Sequence, residues 1–260
     1  MSESGWTVGD RLREQRTIRF EILVVLGVTF GLSGISAALS LLESALAPGG
    51  VGEQTVALNS SRTSQSLLDL LFQLLGVLRR AAWAGLALYL LYRSGVGARA
   101  IGLAARIRFR PDVLPGLVLA AIIGLPGLGL YLVAQALGFN LTIVPDALAD
   151  HWWRLPALVL SACANSGAEE IVVVAYLLTR LRALGWSDNS ALAASALLRG
   201  SYHLYQGLGG GIGNVVMGVV FGRYWLRTGR LWPLVVAHAT IDVVAYVGYG
   251  VLRGRVSWLP

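Results

Sequence analysis

Long apolar windows dominate the sequence and limit what the chain can fold into. A helix needs about 20 consecutive apolar residues to cross the hydrocarbon core of a bilayer, and seven segments approach that length. They cover about 22–42, 67–92, 113–137, 155–179, 189–207, 211–226 and 232–251. The second is the least secure, because Arg79 and Arg80 interrupt it. We therefore predict an all-α, polytopic transmembrane helical bundle of about seven spans, and a count of six to eight fits the same windows.

The charges support this class and indicate its orientation. Charged residues make up 13% of the chain, about half the fraction that soluble domains carry. All 21 basic residues are arginine and most lie in short connections between windows, as the positive-inside rule expects. This placement argues against a nucleic-acid partner despite the net charge of +7. We expect a cytoplasmic N-terminal segment over 1–18 and a single membrane domain over 19–260, in the plasma membrane of a bacterium.

Ionisable side chains inside three of these windows mark the candidate functional site. They are Glu169, Glu170, His203, His238 and Asp242. A charge at membrane depth is costly, so such positions are functional candidates by default. The last two are four residues apart and share a helix face. The adjacent glutamates point about 100° apart, so we expect each to need partners of its own.

These groups are sufficient for amide hydrolysis. A carboxylate can take a proton from water, and imidazoles can orient that water, protonate the leaving amine or bind a developing oxyanion. No serine or cysteine has an evident supporting base, which disfavours a covalent nucleophile. Other interpretations stay open: the histidines as helix-packing residues, the charges as the relay of a proton-coupled transporter, or a non-enzymatic immunity or assembly factor. Arg199 fits a structural role as the counter-ion of Glu170.

The three motifs resemble those of the CPBP family of intramembrane endopeptidases, also called the Abi or type II CAAX prenyl endopeptidase family. They read Ser-Gly-Ala-Glu-Glu-Ile-Val-Val-Val-Ala-Tyr at 166–176, Arg-Gly-Ser-Tyr-His at 199–203 and His-Ala-Thr-Ile-Asp at 238–242. The resemblance covers roughly 155–251, the expected catalytic core. Two positions depart from the family pattern: Val174 stands where the family commonly has arginine, and Arg199 where it commonly has phenylalanine.

The resemblance implies an intramembrane endopeptidase acting on a membrane-associated or lipid-anchored protein or peptide. It makes Glu169 the base and His203 its partner on the attacking water, with His238 and Asp242 on the oxyanion side. The family favours asparagine at the last position, so Asp242 is expected to orient His238 or to stay protonated. We expect a metal-free glutamate mechanism without a cofactor. The alternative is zinc bound by Glu169, His203 and His238. Neither the particular substrate nor the oligomeric state follows from the sequence.

Overall fold

Helices form almost all of the regular structure. The computed structural model describes residues 8–103, 106–253 and 255. Its α-helices are α1 (Val8–Val28), α2 (Phe30–Leu46), α3 (Ser66–Arg93), α4 (Leu114–Ala136), α5 (Arg154–Glu169), α6 (Leu177–Ala183), α7 (Asp188–Ser201), α8 (Leu208–Thr228) and α9 (Trp232–Leu252). A π-helical segment, Phe109–Val113, leads into α4, and a second, Glu170–Tyr176, joins α5 to α6. The all-α prediction is confirmed.

Fewer helices than predicted are long and apolar enough to cross a membrane. Within the described residues these are Ser66–Arg93, Phe109–Ala136, Arg154–Ala183 and Trp232–Leu252, and a bent pair of helices raises the count from 4 to 5. The polytopic membrane fold is confirmed, and the number of spans stays approximate. The windows over 189–207 and 211–226 are largely helical, but α7 has only 14 residues. Repeated glycines and two arginines make α8 less apolar than α9. By contrast, α3 runs without a break through Arg79 and Arg80.

The first predicted span, 22–42, is wrong as a single helix. α1 and α2 meet at Thr29 with a bend of 50°. The Thr29 backbone leaves the helical region, at φ −114° and ψ −107°, while its hydroxyl donates to the carbonyl of Val25 at 2.7 Å. A hydroxyl that bonds back to its own helix competes with the regular backbone ladder. The predicted boundary at residue 18 lies inside α1, and the division into segment and domain stays a prediction.

Two connections pack together beside the helices. Strand β1 (Thr55–Ala57) pairs in parallel with β2 (Thr142–Val144), and we call the connections that carry them, residues 47–65 and 137–153, the loop cap. The Asn140 side chain accepts a hydrogen bond from the Gly210 backbone at 3.1 Å, and the Leu208 amide donates to the Phe139 carbonyl at 2.9 Å. The loop cap therefore fixes the turn between α7 and α8.

The α5–π–α6 segment forms the centre of the bundle. Its residues from Val172 to Ala175 are fully buried, because α3, α7, α8 and α9 pack around this segment or its ends. A helix that is apolar on every side belongs in the core of a bundle. The paired glutamates lie where this central helix changes from α to π geometry, so they are held between the surrounding helices.

Candidate active site

The structure brings all the predicted site residues into one cluster. Glu169 ends α5 and Glu170 begins the π segment. π-Helical turns inside α-helices are frequent at functional sites. The remaining members come from α7, from the turn that follows α7, and from α9. They are Arg199, His203, His238 and Asp242.

Glu170 is bound by a buried arginine and a buried imidazole. Arg199 Nη2 donates to Glu170 Oε1 at 2.7 Å, and His238 Nδ1 lies 2.8 Å from the same oxygen. Glu170 and Arg199 are both 0% exposed. Arg199 is thus the counter-ion of Glu170, as the sequence suggested. Position 174, where the family commonly has arginine, is occupied here by the fully buried, apolar Val174. Arg199 supplies the positive charge that Val174 lacks.

Glu169 is held by two neutral donors. The Tyr202 hydroxyl donates to Glu169 Oε2 at 2.7 Å, and the Asn165 amide donates to Oε1 at 3.0 Å. Arg199 Nη1 also lies 3.7 Å from Oε2. Each glutamate therefore has hydrogen-bond partners of its own, and Arg199 lies near both. A guanidinium presents several N–H groups in one planar fork, so Arg199 reaches both carboxylates.

Asp242 closes the cluster into a ring of polar contacts. The Asn165 amide donates to Asp242 Oδ2 at 3.3 Å, and His238 Nε2 lies 3.7 Å from that same oxygen. The ring thus runs from Asp242 through Asn165 to Glu169, and through His238 to Glu170. Arg199 joins its two glutamates. Three sequence-distant segments, the α5–π helix, α7 and α9, are tied together at one point.

His203 lies in a turn and not inside a helix, which corrects the predicted span over 189–207. α7 ends at Ser201, and a short 3-10 turn follows His203. His203 Nδ1 lies 3.0 Å from the Arg199 carbonyl. A carbonyl only accepts, so Nδ1 carries the proton and Nε2 keeps a lone pair in the neutral ring. The ring packs against Tyr202, with centroids 4.7 Å apart.

One side of the cluster is more open than the other. Glu169, Glu170, Arg199 and His238 are at most 4% exposed. Asn165, His203 and Asp242 are half-buried, as are Tyr205 and Tyr246 beside them. We call the side formed by His203, Tyr205, Asp242 and Tyr246 the open side. The residues on this side have larger exposed fractions than Glu169 and Glu170.

The alternative zinc set is Glu169, His203 and His238. In the part of the chain that the structure describes, no group of three or more His, Cys, Asp and Glu side chains is placed to hold a metal ion. The Nδ1 atoms of His203 and His238 are committed to a carbonyl and to Glu170. The expectation of a cofactor-free site stays a prediction.

Asn165 and Tyr202 are site residues that the sequence analysis missed. Asn165 lies four residues before Glu169, on the same helix face, and Tyr202 directly precedes His203. Spacing alone could have identified Asn165 as a neighbour of Glu169. Nothing in the local sequence pointed to Tyr202, because its contact with Glu169 joins residues 33 positions apart.

Comparison with known families supports the resemblance in the region that contains this cluster. Residues 151–244 match the family model described as type II CAAX prenyl endopeptidase Rce1-like. The matched segment is about a third of the chain and contains every residue of the ring. No curated protein and no solved structure matches the chain. The family resemblance is confirmed over this segment, and it supports an integral membrane peptidase of the CAAX endopeptidase type.

Proposed function

We propose that this chain, related over residues 151–244 to the type II CAAX prenyl endopeptidases, hydrolyses a peptide bond of a membrane-associated or lipid-anchored protein. In this mechanism Glu169 is the general base and no metal takes part. We further propose a bacterial plasma membrane and a cytoplasmic N-terminus, which the distribution of arginines supports.

The geometry of Glu169 carries this proposal. Its two oxygens each accept a hydrogen bond, from Tyr202 at 2.7 Å and Asn165 at 3.0 Å. Each carboxylate oxygen has two lone pairs, so both can still accept a hydrogen bond from water. A carboxylate held by fixed neighbours in a site with little water is preorganised for proton transfer.

The reaction begins with proton transfer from water to Glu169. The water oxygen forms a bond to the scissile carbonyl carbon, and the carbonyl π electrons move onto its oxygen. His203 Nε2, with its lone pair, accepts a hydrogen bond from the second O–H of the water and sets the direction of the water. Glu169 then returns its proton to the amide nitrogen as the C–N bond breaks. One water is consumed, and a new carboxyl and a new amine are released.

His238 supplies the hydrogen bond to the oxyanion. Its Nδ1 faces Glu170 and its Nε2 faces Asp242. An imidazolium has a proton on each nitrogen, which matches these two acceptors. As the substrate enters, Nε2–H turns from the longer contact with Asp242, 3.7 Å, to the developing oxyanion. In this role Asp242 orients His238.

The ion pair of Arg199 and Glu170 positions the reacting groups. Glu170 orients His238 through Oε1, and the Arg199 carbonyl sets the tautomer of His203. Arg199 thus links the two imidazoles without touching the substrate. We assign it and Glu170 as positioning residues.

Comparative membrane proteomics tests the proposed activity in cells. Cells that carry Glu169→Gln or His238→Ala are compared with wild type, and Glu43→Gln is the matched control because Glu43 is exposed on α2. We expect both site variants to insert normally and to accumulate the same uncut membrane proteins, while the control matches wild type. Identical profiles for all four, with the site variants folded, contradict the proposal. If Glu169→Gln fully complements cells that lack this protein, a non-enzymatic factor is favoured.

A further inference from the structure

Asn165 lies between two carboxylates that come from different helices. Its amide nitrogen Nδ2 donates to Glu169 Oε1 at 3.0 Å and to Asp242 Oδ2 at 3.3 Å. The first contact lies within α5, whereas the second joins α5 to α9 across 77 positions of the sequence. Only the NH2 group of the side chain suits this place, because the carboxamide oxygen would face two further acceptors. Both hydrogens of the amide are therefore directed at carboxylate oxygens.

The Asp242 oxygen that Asn165 contacts also faces His238. His238 Nε2 lies 3.7 Å from Asp242 Oδ2, and Asn165 Nδ2 lies 3.3 Å from the same atom. Hydrogen bonds between an N–H group and a carboxylate are normally shorter, at about 2.7–2.9 Å when both groups are charged. The His238 ring itself is held firmly, since Nδ1 lies 2.8 Å from Glu170. Two donors from different helices thus converge on one oxygen that neither of them binds closely.

Two N–H donors that converge on one oxygen are what a developing oxyanion requires. Attack of water on an amide places negative charge on the carbonyl oxygen, and N–H groups already aimed at that oxygen stabilise it. An ionised carboxylate accepts hydrogen bonds but donates none, so Asp242 cannot do this itself. Its Oδ2 instead marks the place of the substrate oxygen, because both oxygens carry negative charge. The Asp242 side chain is 15% exposed, so water can solvate the carboxylate once the substrate oxygen takes that place.

The position of the general base fits this arrangement. A single nitrogen atom, Asn165 Nδ2, separates Glu169 Oε1 from Asp242 Oδ2. A carbonyl group whose oxygen takes the place of Asp242 Oδ2 has its carbon about 1.2 Å from that place. An attacking water lies about 3–3.5 Å from that carbon before it reacts, which a water bound to Glu169 can satisfy. The geometry therefore allows the base, the water and both donors to surround one carbonyl group.

We propose that Asn165 is a further catalytic residue, whose amide N–H donates, together with His238 Nε2–H, to the oxyanion at the scissile carbonyl. This inference rests on the proposed function and adds a second oxyanion donor to it. The carbonyl π electrons move onto the oxygen as the water attacks, and the proton of Asn165 stays on its nitrogen. Only its hydrogen bond moves, from Asp242 Oδ2 to the oxyanion. The other hydrogen of the same amide remains on Glu169.

Removal of the amide tests this role in the full chain in nanodiscs. The probe is a farnesylated Cys-Val-Ile-Ser peptide. Asn165→Ala is compared with Asn214→Ala, because Asn214 is also half-buried but donates to the Gly210 carbonyl of its own helix at 3.0 Å. We expect kcat to fall about 100-fold to 1,000-fold in Asn165→Ala, as when one oxyanion donor is lost. KM should stay almost unchanged, because this bond forms only in the transition state. Equal kcat values for the two variants overturn the inference.

A new donor at position 242 separates oxyanion binding from the support of Glu169. Asp242→Asn keeps the shape of the side chain and adds an N–H group at the place that Asn165 Nδ2 and His238 Nε2 face. Combined with Asn165→Ala, it should raise kcat at least about 10-fold above that of Asn165→Ala alone. Asp242→Ala in the same background removes the charge without adding a donor and should give no recovery. Absence of recovery with Asp242→Asn, or equal recovery with both, overturns the inference.

Glu169→Gln, assayed beside these variants, distinguishes failure of this inference from failure of the proposed function. Circular dichroism in the nanodiscs checks that each protein is folded. If Glu169→Gln is inactive and Asn165→Ala cleaves at the wild-type rate, only the inference fails. If Glu169→Gln cleaves normally while Asn165→Ala is slow and is rescued by Asp242→Asn, the assignment of the base is wrong and the role of Asn165 is supported. Absence of cleavage by folded wild type overturns both.

Discussion

The buried pair of Arg199 and Glu170 permits a quantitative prediction. Both residues are 0% exposed and their charged atoms are 2.7 Å apart. Removing one partner of such a pair leaves an uncompensated charge and costs roughly 3–5 kcal/mol. We expect Arg199→Met and Glu170→Gln each to lower the free energy of unfolding by about this amount. The double variant should lose less than the sum, giving a coupling energy of about 2–3 kcal/mol.

Unfolding by sodium dodecyl sulfate in mixed micelles gives the free energy of unfolding of wild type, of both single variants and of the double variant. The pair of Arg182 and Asp188 is the matched control, because its atoms are also 2.7 Å apart but its side chains are 49% and 50% exposed. Exposed pairs contribute about 0–1 kcal/mol, so Arg182→Gln with Asp188→Asn should show little coupling. A coupling energy below about 0.5 kcal/mol for the buried pair refutes the assignment of Arg199 as the counter-ion of Glu170.

Three further predictions follow from particular contacts. Tyr202→Phe removes the hydroxyl that donates to Glu169 at 2.7 Å, and kcat of the purified protein should fall roughly 10-fold to 100-fold; an unchanged kcat contradicts this role. Gly207→Ala should lower the free energy of unfolding by about 3 kcal/mol, because φ is +110° and a Cβ would stand 2.6 Å from the backbone of the loop cap. Gly229→Ala, at φ +63° with open space around it, should cost only about 1 kcal/mol, and equal losses by denaturant titration contradict the clash. Treatment with a chelator should leave the cleavage rate unchanged, whereas a loss that added zinc restores indicates the metal mechanism.

Much of the site could be predicted from the sequence because its members are conspicuous. Glutamate and histidine are rare inside apolar windows, so Glu169, Glu170, His203 and His238 stood out without any structure. The ion pair with Arg199 could be suggested because a buried carboxylate requires compensation. The catalytic roles of these residues stay predictions.

The remaining features depend on tertiary packing. Tyr202 resembles the other aromatic residues of the chain until folding brings the end of α7 to the end of α5, where its hydroxyl donates to Glu169. The shared contact of both glutamates with Arg199 was missed because spacing along an ideal helix says nothing about a planar group that spans two positions. The bend at Thr29 lies within an unbroken apolar window, so hydropathy could not locate it.

Cleavage by the purified protein tests the central claim most directly. Wild type, Glu169→Gln and Glu43→Gln are reconstituted in nanodiscs with a farnesylated Cys-Val-Ile-Ser peptide, a composition typical of prenylated C-termini, and the peptide product of cleavage is measured by mass spectrometry. We predict release by wild type and by Glu43→Gln, and a loss of at least about 1,000-fold in Glu169→Gln, the size expected when a general base is removed from a preorganised site. Release by folded Glu169→Gln at the wild-type rate would contradict a reaction that depends on this carboxylate.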